Sequence, residues 1–363
     1  MEMDQPEMPS NQPPPAAAAK RRISPLVRLG GLGARHARTF WYVLTVILPV
    51  ILRTRRRPVI FSRYAGLGDI IGTFPATLEL KKRYPGATFI YNCAASSACL
   101  PPMGGVTQHV THLPDIGLVG YWYRWLLSGY HNFGSDDDEF VADHTELFLQ
   151  GYGRRQGVVV TGGHPRLQNR PEVVVAIAHL RERLGVKDRP LVLIHPGPAW
   201  RVKQWPQESW AALVAALRQH GVKNIVQLGS GVRSYSNIGA SDSGDIPGVI
   251  SLVDKLSLEE TLALISVADL FVGIDSGLLH AAVSFQVPSV GIWGATSPQF
   301  LFTHAESRDF VVSQVACQGC HHRVPRLHYM TGCPHGIQCM KEIAPEKVFQ
   351  ACLAHLAAVE KSP

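Results

Sequence analysis

The chain has 363 residues, 46% of them hydrophobic and 17% charged, a globular composition with length for about two domains. This excludes collagen, a coiled coil, a disulfide-stapled miniprotein and a disordered chain, and the single strongly apolar stretch excludes a polytopic membrane protein. The net charge of +7 sits in residues 1–57, where ten Lys/Arg face three acids; the other 306 residues balance 25 bases with 25 acids. A neutral body without a basic stripe argues against nucleic acid as a partner.

Residues 1–38 read as a disordered, basic, proline-rich arm, with Pro13, Pro14 and Pro15 followed by a four-alanine run. Residues 39–57 read as a membrane-associating segment. Within it Phe40–Leu52 has thirteen residues with only Thr45 polar, flanked by Arg35, Arg38, Arg53, Arg55, Arg56 and Arg57. As a helix it reaches ~20 Å, short of the ~30 Å hydrocarbon core, so an interfacial anchor on anionic lipid is favoured over a strained span or a buried helix. The aromatics Phe40, Trp41 and Tyr42 lead it, as an interface prefers. No small-residue cleavage site follows, so the expected compartment is cytoplasmic and reducing, at the inner face of a bacterial inner membrane.

From Val59 the pattern alternates strand, turn and helix. The predicted elements are strand Val59–Ser62, turn Tyr64–Gly68, helix Ile70–Tyr84 and strand Thr88–Tyr91. After a Tyr-, Trp- and Gly-rich middle the alternation restarts with strand Leu191–His195, helix Gln207–His220 and strand Asn224–Leu228. A capping box of Ser257 and Glu260 opens a helix to about Val267. Strand Leu270–Ile274, helix Leu278–Ser284 and strand Ser289–Trp293 complete the series. Two such runs separated by the polar segment Gly185–Arg189 predict an α/β protein of two doubly wound domains, residues 58–184 and 190–345, with a terminal helix and tail over 346–363. Ligands of such sheets bind at the carboxyl ends of the strands.

Three turns there carry candidate chemistry. In Gly66-Leu67-Gly68-Asp69 the glycines permit close approach, and Asp69 is either a helix N-cap or a working carboxylate. It is no dinucleotide fingerprint, because Ile71 stands where the third glycine belongs. The turn from His195 to Pro206 places Arg201 and Lys203 where a cation can hold a phosphate, or forms a solvated loop over a packed tryptophan. Asp275-Ser276-Gly277 leads from a strand into a helix, a natural anion site, with His280 one turn in. Thr296 and Ser297 add donors at the next strand exit.

The strings GLGDIIGTFPATLELKKRYPGA, HPG…KQWP and ADLFVGIDSGLLHAA…VPSVGIWGATSP, in this order across residues 59–345, resemble glycosyltransferase family 9, the ADP-heptose:lipopolysaccharide heptosyltransferases. The resemblance implies a GT-B fold, two Rossmann-like domains facing a cleft, with acceptor on the first and nucleotide sugar on the second. It places Asp69 as catalytic base beside the acceptor-side glycines Gly66 and Gly68. It places Lys203 on the nucleotide phosphate, and Asp275, Ser276, Gly277 and His280 around the nucleotide sugar, with Thr296 beside them. The implied reaction is inverting transfer of a heptose or related sugar to a lipid-linked glycan, with no catalytic metal. A transferase for another nucleotide sugar in O-antigen or capsule synthesis, a silent membrane-tethered scaffold and a zinc-dependent regulator are the rival readings. The chain departs from the family pattern at Gly229–Ser234, where Arg233 stands about where relatives carry an acid near the ribose.

Two more features remain. Asp136-Asp137-Asp138-Glu139 reads as an acidic surface loop. Cys317, Cys320, Cys333 and Cys339 have spacing for a structural zinc, with disulfides or free thiols as alternatives.

Overall fold

The computed structural model describes residues 25–113, 117–134, 146–186, 189–197, 200–231, 233–235, 239–241, 243–323 and 333–359. The acidic run at residues 136–139 and the first 24 residues of the arm lie outside them.

The first sheet is four parallel strands, β1 (Val59–Ser62), β2 (Phe89–Asn92), β3 (His109–Thr111) and β4 (Gly129–Asn132), in the order β3-β2-β1-β4. β1 is wholly buried, as a central strand covered on both faces must be. Between β1 and β2 runs the helix Leu67–Lys81, which turns Ile70, Ile71, Phe74, Thr77 and Leu80 inward at helical spacing. Its Pro75 lies inside the helix, where it gives up one backbone hydrogen bond.

The second sheet has six parallel strands: β5 (Leu191–His195), β6 (Asn224–Gln227), β9 (Ile250–Ser251), β10 (Leu270–Ile274), β11 (Ser289–Trp293) and β12 (Val311–Val312). A two-stranded hairpin, β7 (Arg233–Tyr235) with β8 (Gly239–Ser241), stands apart. The order β12-β11-β10-β5-β6-β9 reverses direction between β5 and β10, the doubly wound arrangement whose crevice opens at that reversal. In the first sheet the reversal falls between β1 and β4.

The two domains share apolar core. Phe61, Ile70 and Phe74 of the first belong to one buried cluster with Leu193, Leu262 and Leu279 of the second. The helix Pro171–Arg183, expected in the first domain, packs on Leu258–Ser266 of the second. Arg170 pairs with Glu259 at 2.6 Å and Asn169 bonds Ser266 at 2.5 Å, so the chain changes domain before residue 184. The terminal helix Pro345–Val359 buries Val348, Cys352 and Leu356 in the core beneath β10 and β11.

The N-terminal region differs most from expectation. The arm expected to be disordered through residue 38 is helical from Pro25, and helix runs on through a π-helical turn at Val43–Ile47 to Thr54. Gly33–Thr54 is long and apolar enough to cross a membrane by length and composition, so the thirteen-residue estimate was too short. The helix also serves as core: Tyr42, Val43 and Ile47 are buried against Ile60, Ile90 and Val119, and the Tyr42 hydroxyl bonds that of Thr111 at 2.9 Å. The stretch from Tyr42 to Ile51 is therefore not a detachable arm, because removing it bares the back of the first sheet.

Candidate active site

The turn after β1 begins with a residue that sequence reasoning passed over. Arg63 is fully buried, and its Nη2 lies 3.4 Å from Oδ1 of Asp69. Its Nη1 reaches the Phe133 carbonyl, also at 3.4 Å, and its guanidinium stands 5.4 Å from the centre of the Tyr152 ring. Arg63 thus bridges the exits of β1 and β4, the reversal point of the first sheet. The available signal was its position: a cation one residue past a buried strand, at the carboxyl end. Asp69 is not the N-cap. Gly66 occupies that position in extended conformation, and Asp69 sits in the first turn, where the helix dipole favours a carboxylate. A Cβ on Gly66 would stand 3.1 Å from Oδ2 of Asp69, so the glycine leaves room for the carboxylate.

At the reversal point of the second sheet, Lys203 Nζ lies 2.7 Å from Oδ2 of Asp275, with Asp275 5% and Lys203 17% exposed. Lys203 leaves the turn after β5, and Asp275 immediately follows β10. Nζ also stands 4.3 Å over the Trp200 ring, which steers the side chain from one side. Burial pushes the Asp275 carboxyl up, but Lys203, His280 and Thr296 together outweigh it and hold the group at about 2. It is an anion at neutral pH, and Lys203 is its counter-ion.

Ser276 caps the helix Gly277–Ser284 through the Leu279 amide. Gly277 packs against the first domain, where a Cβ would meet that of Leu67 at 2.5 Å. A Cβ on Gly68 would likewise meet the His280 ring at 2.8 Å. The turn carrying Asp69 and the turn carrying Asp275 therefore abut, with His280 between them. Among the sequence-predicted site residues, the structure brings together Gly68, Lys203, Asp275, Gly277, His280 and Thr296.

Behind His280 lies a pair that the sequence reading missed. His164 Nε2 is 2.7 Å from His280 Nδ1, and Glu306 accepts the His164 backbone N–H at 2.6 Å while facing its Nδ1 at 3.6 Å. Phe302 stacks on both rings. Burial, reinforced by His164, pushes the His280 imidazole far below the usual histidine range. Burial raises the Glu306 carboxyl, but its bonds with His164 reverse this and hold it at about 2. His164 lies in Gly162-Gly163-His164-Pro165 on the stretch between domains, too far in sequence from any motif to be flagged.

The turns after β5 and β6 also touch. Ser243 Oγ donates to the carbonyls of Gly197 at 2.5 Å and Ser230 at 2.9 Å. An acid does reach the glycine turn there, although not at position 233: Asp254 accepts the Gly231 N–H at 2.7 Å.

His195 ends β5 fully inside, and burial pushes it down to about 4, offset in part by its bond to the Leu228 carbonyl. Since the unfolded chain takes up the proton first, this contribution to stability is complete above about pH 6.5 and is lost as pH falls toward 4. Urea unfolding is expected to show a His195→Leu variant lacking ~1.4 kcal/mol of slope per pH unit over that window. Parallel wild-type and variant profiles would show that His195 takes up its proton as readily in the folded protein as in the unfolded chain.

All seven cysteines are free thiols in this structure. Gly319, at φ 70°, turns the chain so that the Cys320 amide reaches the Cys317 carbonyl at 3.2 Å. Burial and the other three thiols of the cluster push Cys339 up to about 12. The thiols are thus neighbours, but among the described residues no three or more His, Cys, Asp or Glu groups are spaced to hold a metal ion.

Comparison with known proteins follows this geometry. Residues 149–330 match the family model "Glycosyltransferase family 9 (heptosyltransferase)". Lipopolysaccharide heptosyltransferase 3 of Escherichia coli K12 is 29% identical over 120 residues, 33% of this chain and 35% of the relative, so the match spans about a third of that protein's length. The iron-containing dodecameric glycosyltransferase TibC of enterotoxigenic E. coli H10407 superposes with a TM-score of 0.64 at 18% identity, over 85% of this chain and 81% of its own. TibC has also been solved with ADP-D-β-D-heptose. E. coli ADP-heptose lipopolysaccharide heptosyltransferase II superposes with a TM-score of 0.60 at 16% identity, over 84% of this chain and 99% of its own.

Proposed function

The chain belongs to glycosyltransferase family 9, and from that premise we propose that it transfers a heptose or related sugar from a nucleotide sugar to a lipopolysaccharide core or similar lipid-linked glycan. The observation that carries the reading is the meeting of two strand-end turns: one presents a carboxylate, Asp69, and the other a half-buried lysine, Lys203, with His280 between. In the proposed displacement the acceptor hydroxyl oxygen bonds the anomeric carbon as its proton passes to Asp69. The bond from that carbon to the phosphate oxygen breaks, and its electron pair leaves with the nucleoside diphosphate. Lys203 meets the developing charge, so the step needs no metal. Attack opposite the departing group inverts the anomeric centre. Arg63 and the helix N-terminus orient Asp69 from behind.

ADP-heptose is the proposed donor, because TibC binds that sugar nucleotide on the same fold. The proposed location is the cytoplasmic face of a bacterial inner membrane, where a lipid-linked acceptor and anionic headgroups are both at hand. Purified enzyme with ADP-heptose and heptose-deficient lipopolysaccharide tests the reading. ADP release that requires the acceptor supports it, and release from another nucleotide sugar alone overturns the heptose assignment.

For the cysteine cluster we propose a structural metal. Four thiols around a knuckle turn are donors of the kind that zinc or iron takes, although among the described residues they are not yet spaced to hold one, and no catalytic step is routed through them. Protein prepared under reducing conditions is expected to carry about one metal per chain, and a chelator to lower its Tm. Metal-free protein of unchanged Tm would leave the cluster as packed thiols.

A further inference from the structure

The N-terminal helix presents a second apolar face. Opposite the buried Tyr42, Val43 and Ile47, it leaves Trp41 62%, Leu44 42% and Leu52 66% exposed. A second element lies along its flank. The helix Gly117–Trp122 and the turn Arg124–Leu126 point Val119 and Leu126 into the same small core, and leave Tyr121 75%, Trp122 55% and Trp125 67% exposed. The Trp122 ring meets that of His36 at 5.9 Å, and Arg57 donates to the Trp125 carbonyl at 3.1 Å, so the two elements touch along the helix and again just past its end. Residues 25–57 and 117–126 together hold eight arginines and no acid.

We infer that these two elements form one lipid-contacting face, which docks the first domain on an anionic bilayer with the helix lying in the interface instead of crossing it. Tryptophan and tyrosine rings are amphipathic and favour the headgroup level, and arginine-rich segments that carry no acid of their own match an anionic surface. A second copy of this chain would set one arginine-rich surface against another, and nucleic acid would find no use for Leu44 and Leu52. A transmembrane orientation conflicts with Tyr42, Val43 and Ile47, which pin the middle of the helix to the domain. The segment 117–126 adds a contact that hydropathy of the N-terminal stretch does not reveal. The inference deepens the proposed membrane location and depends on it only for its purpose, since binding is read without turnover.

The test uses the full chain and vesicles of phosphatidylcholine with or without phosphatidylglycerol. Wild type is expected to prefer the anionic vesicles. The Tyr121→Ser/Trp122→Ser/Trp125→Ser variant, with its N-terminal helix intact, is expected to bind them about tenfold more weakly or worse. Because that variant can fail to fold, Trp122→Phe/Trp125→Phe gives a second readout: brominated lipid should quench wild-type tryptophan fluorescence and quench this variant less. Equal binding by the triple-serine variant, or equal quenching of the Phe variant, would overturn the role of segment 117–126. Wild-type preference for neither vesicle, or a dimer in ultracentrifugation that the triple variant abolishes, would overturn the lipid face itself. In each case sugar transfer to a soluble acceptor fragment would still report separately on the proposed reaction.

Discussion

Asp69→Asn is expected to lower turnover by about 10²-fold or more while leaving nucleotide affinity nearly unchanged, since a positioned general base contributes ~10²–10⁴. The amide keeps the shape of the carboxylate but cannot take the acceptor's proton. It also gives up the charge that faces the fully buried Arg63 guanidinium at 3.4 Å. Some destabilisation is therefore expected as well, because weakening a buried ion pair is costly. The variant should accordingly be compared at a temperature where both proteins are folded, with kcat and KM measured separately. A fall in kcat with KM for the nucleotide sugar held places Asp69 in the chemical step. Near wild-type kcat in a folded variant would remove it from the mechanism.

Much of this arrangement was legible in the sequence because parallel strands buried on both faces write continuous apolar runs. Val59–Ser62, Leu191–His195, Leu270–Ile274 and Ser289–Trp293 begin and end where the hydrophobic runs predict. The edge strands His109–Thr111, Ile250–Ser251 and Val311–Val312 were missed, since two or three half-exposed residues carry no periodic signal. β4 was missed for another reason: Gly129-Tyr130-His131-Asn132 is polar in composition and is a strand only because β1 supplies its partner. The same division holds in the site. Asp69, Lys203, Asp275 and His280 lie in motifs and were found. Arg63, His164 and Glu306 act through space, from a strand end, a connecting stretch and a short helix, and only the folded chain shows His164 against His280. The membrane-like stretch was read by composition alone, which cannot distinguish a helix that faces lipid from one that also closes a protein core.

Lys203→Ala is the other change with a large expected effect, and the structure alters how it must be tested. Taken as a phosphate-binding residue, its loss should weaken ADP by roughly 1.5–3 kcal/mol, the scale of a hydrogen bond to a charged group, and leave adenosine nearly unaffected. Yet Lys203 is also the counter-ion of Asp275, which is 5% exposed and anionic. Removing one partner of a buried pair costs ~3–5 kcal/mol, because the other charge is left without compensation. A loss of ADP binding in Lys203→Ala alone could therefore reflect a disordered site. The double variant Lys203→Ala/Asp275→Asn separates the two effects by removing both charges. It is expected to regain most of the stability in urea unfolding and none of the diphosphate affinity in calorimetry. If ADP affinity returns along with stability, Lys203 serves the fold and a different group holds the phosphate. If ADP and adenosine weaken equally in the restored variant, the lysine shapes the nucleoside pocket and does not read charge.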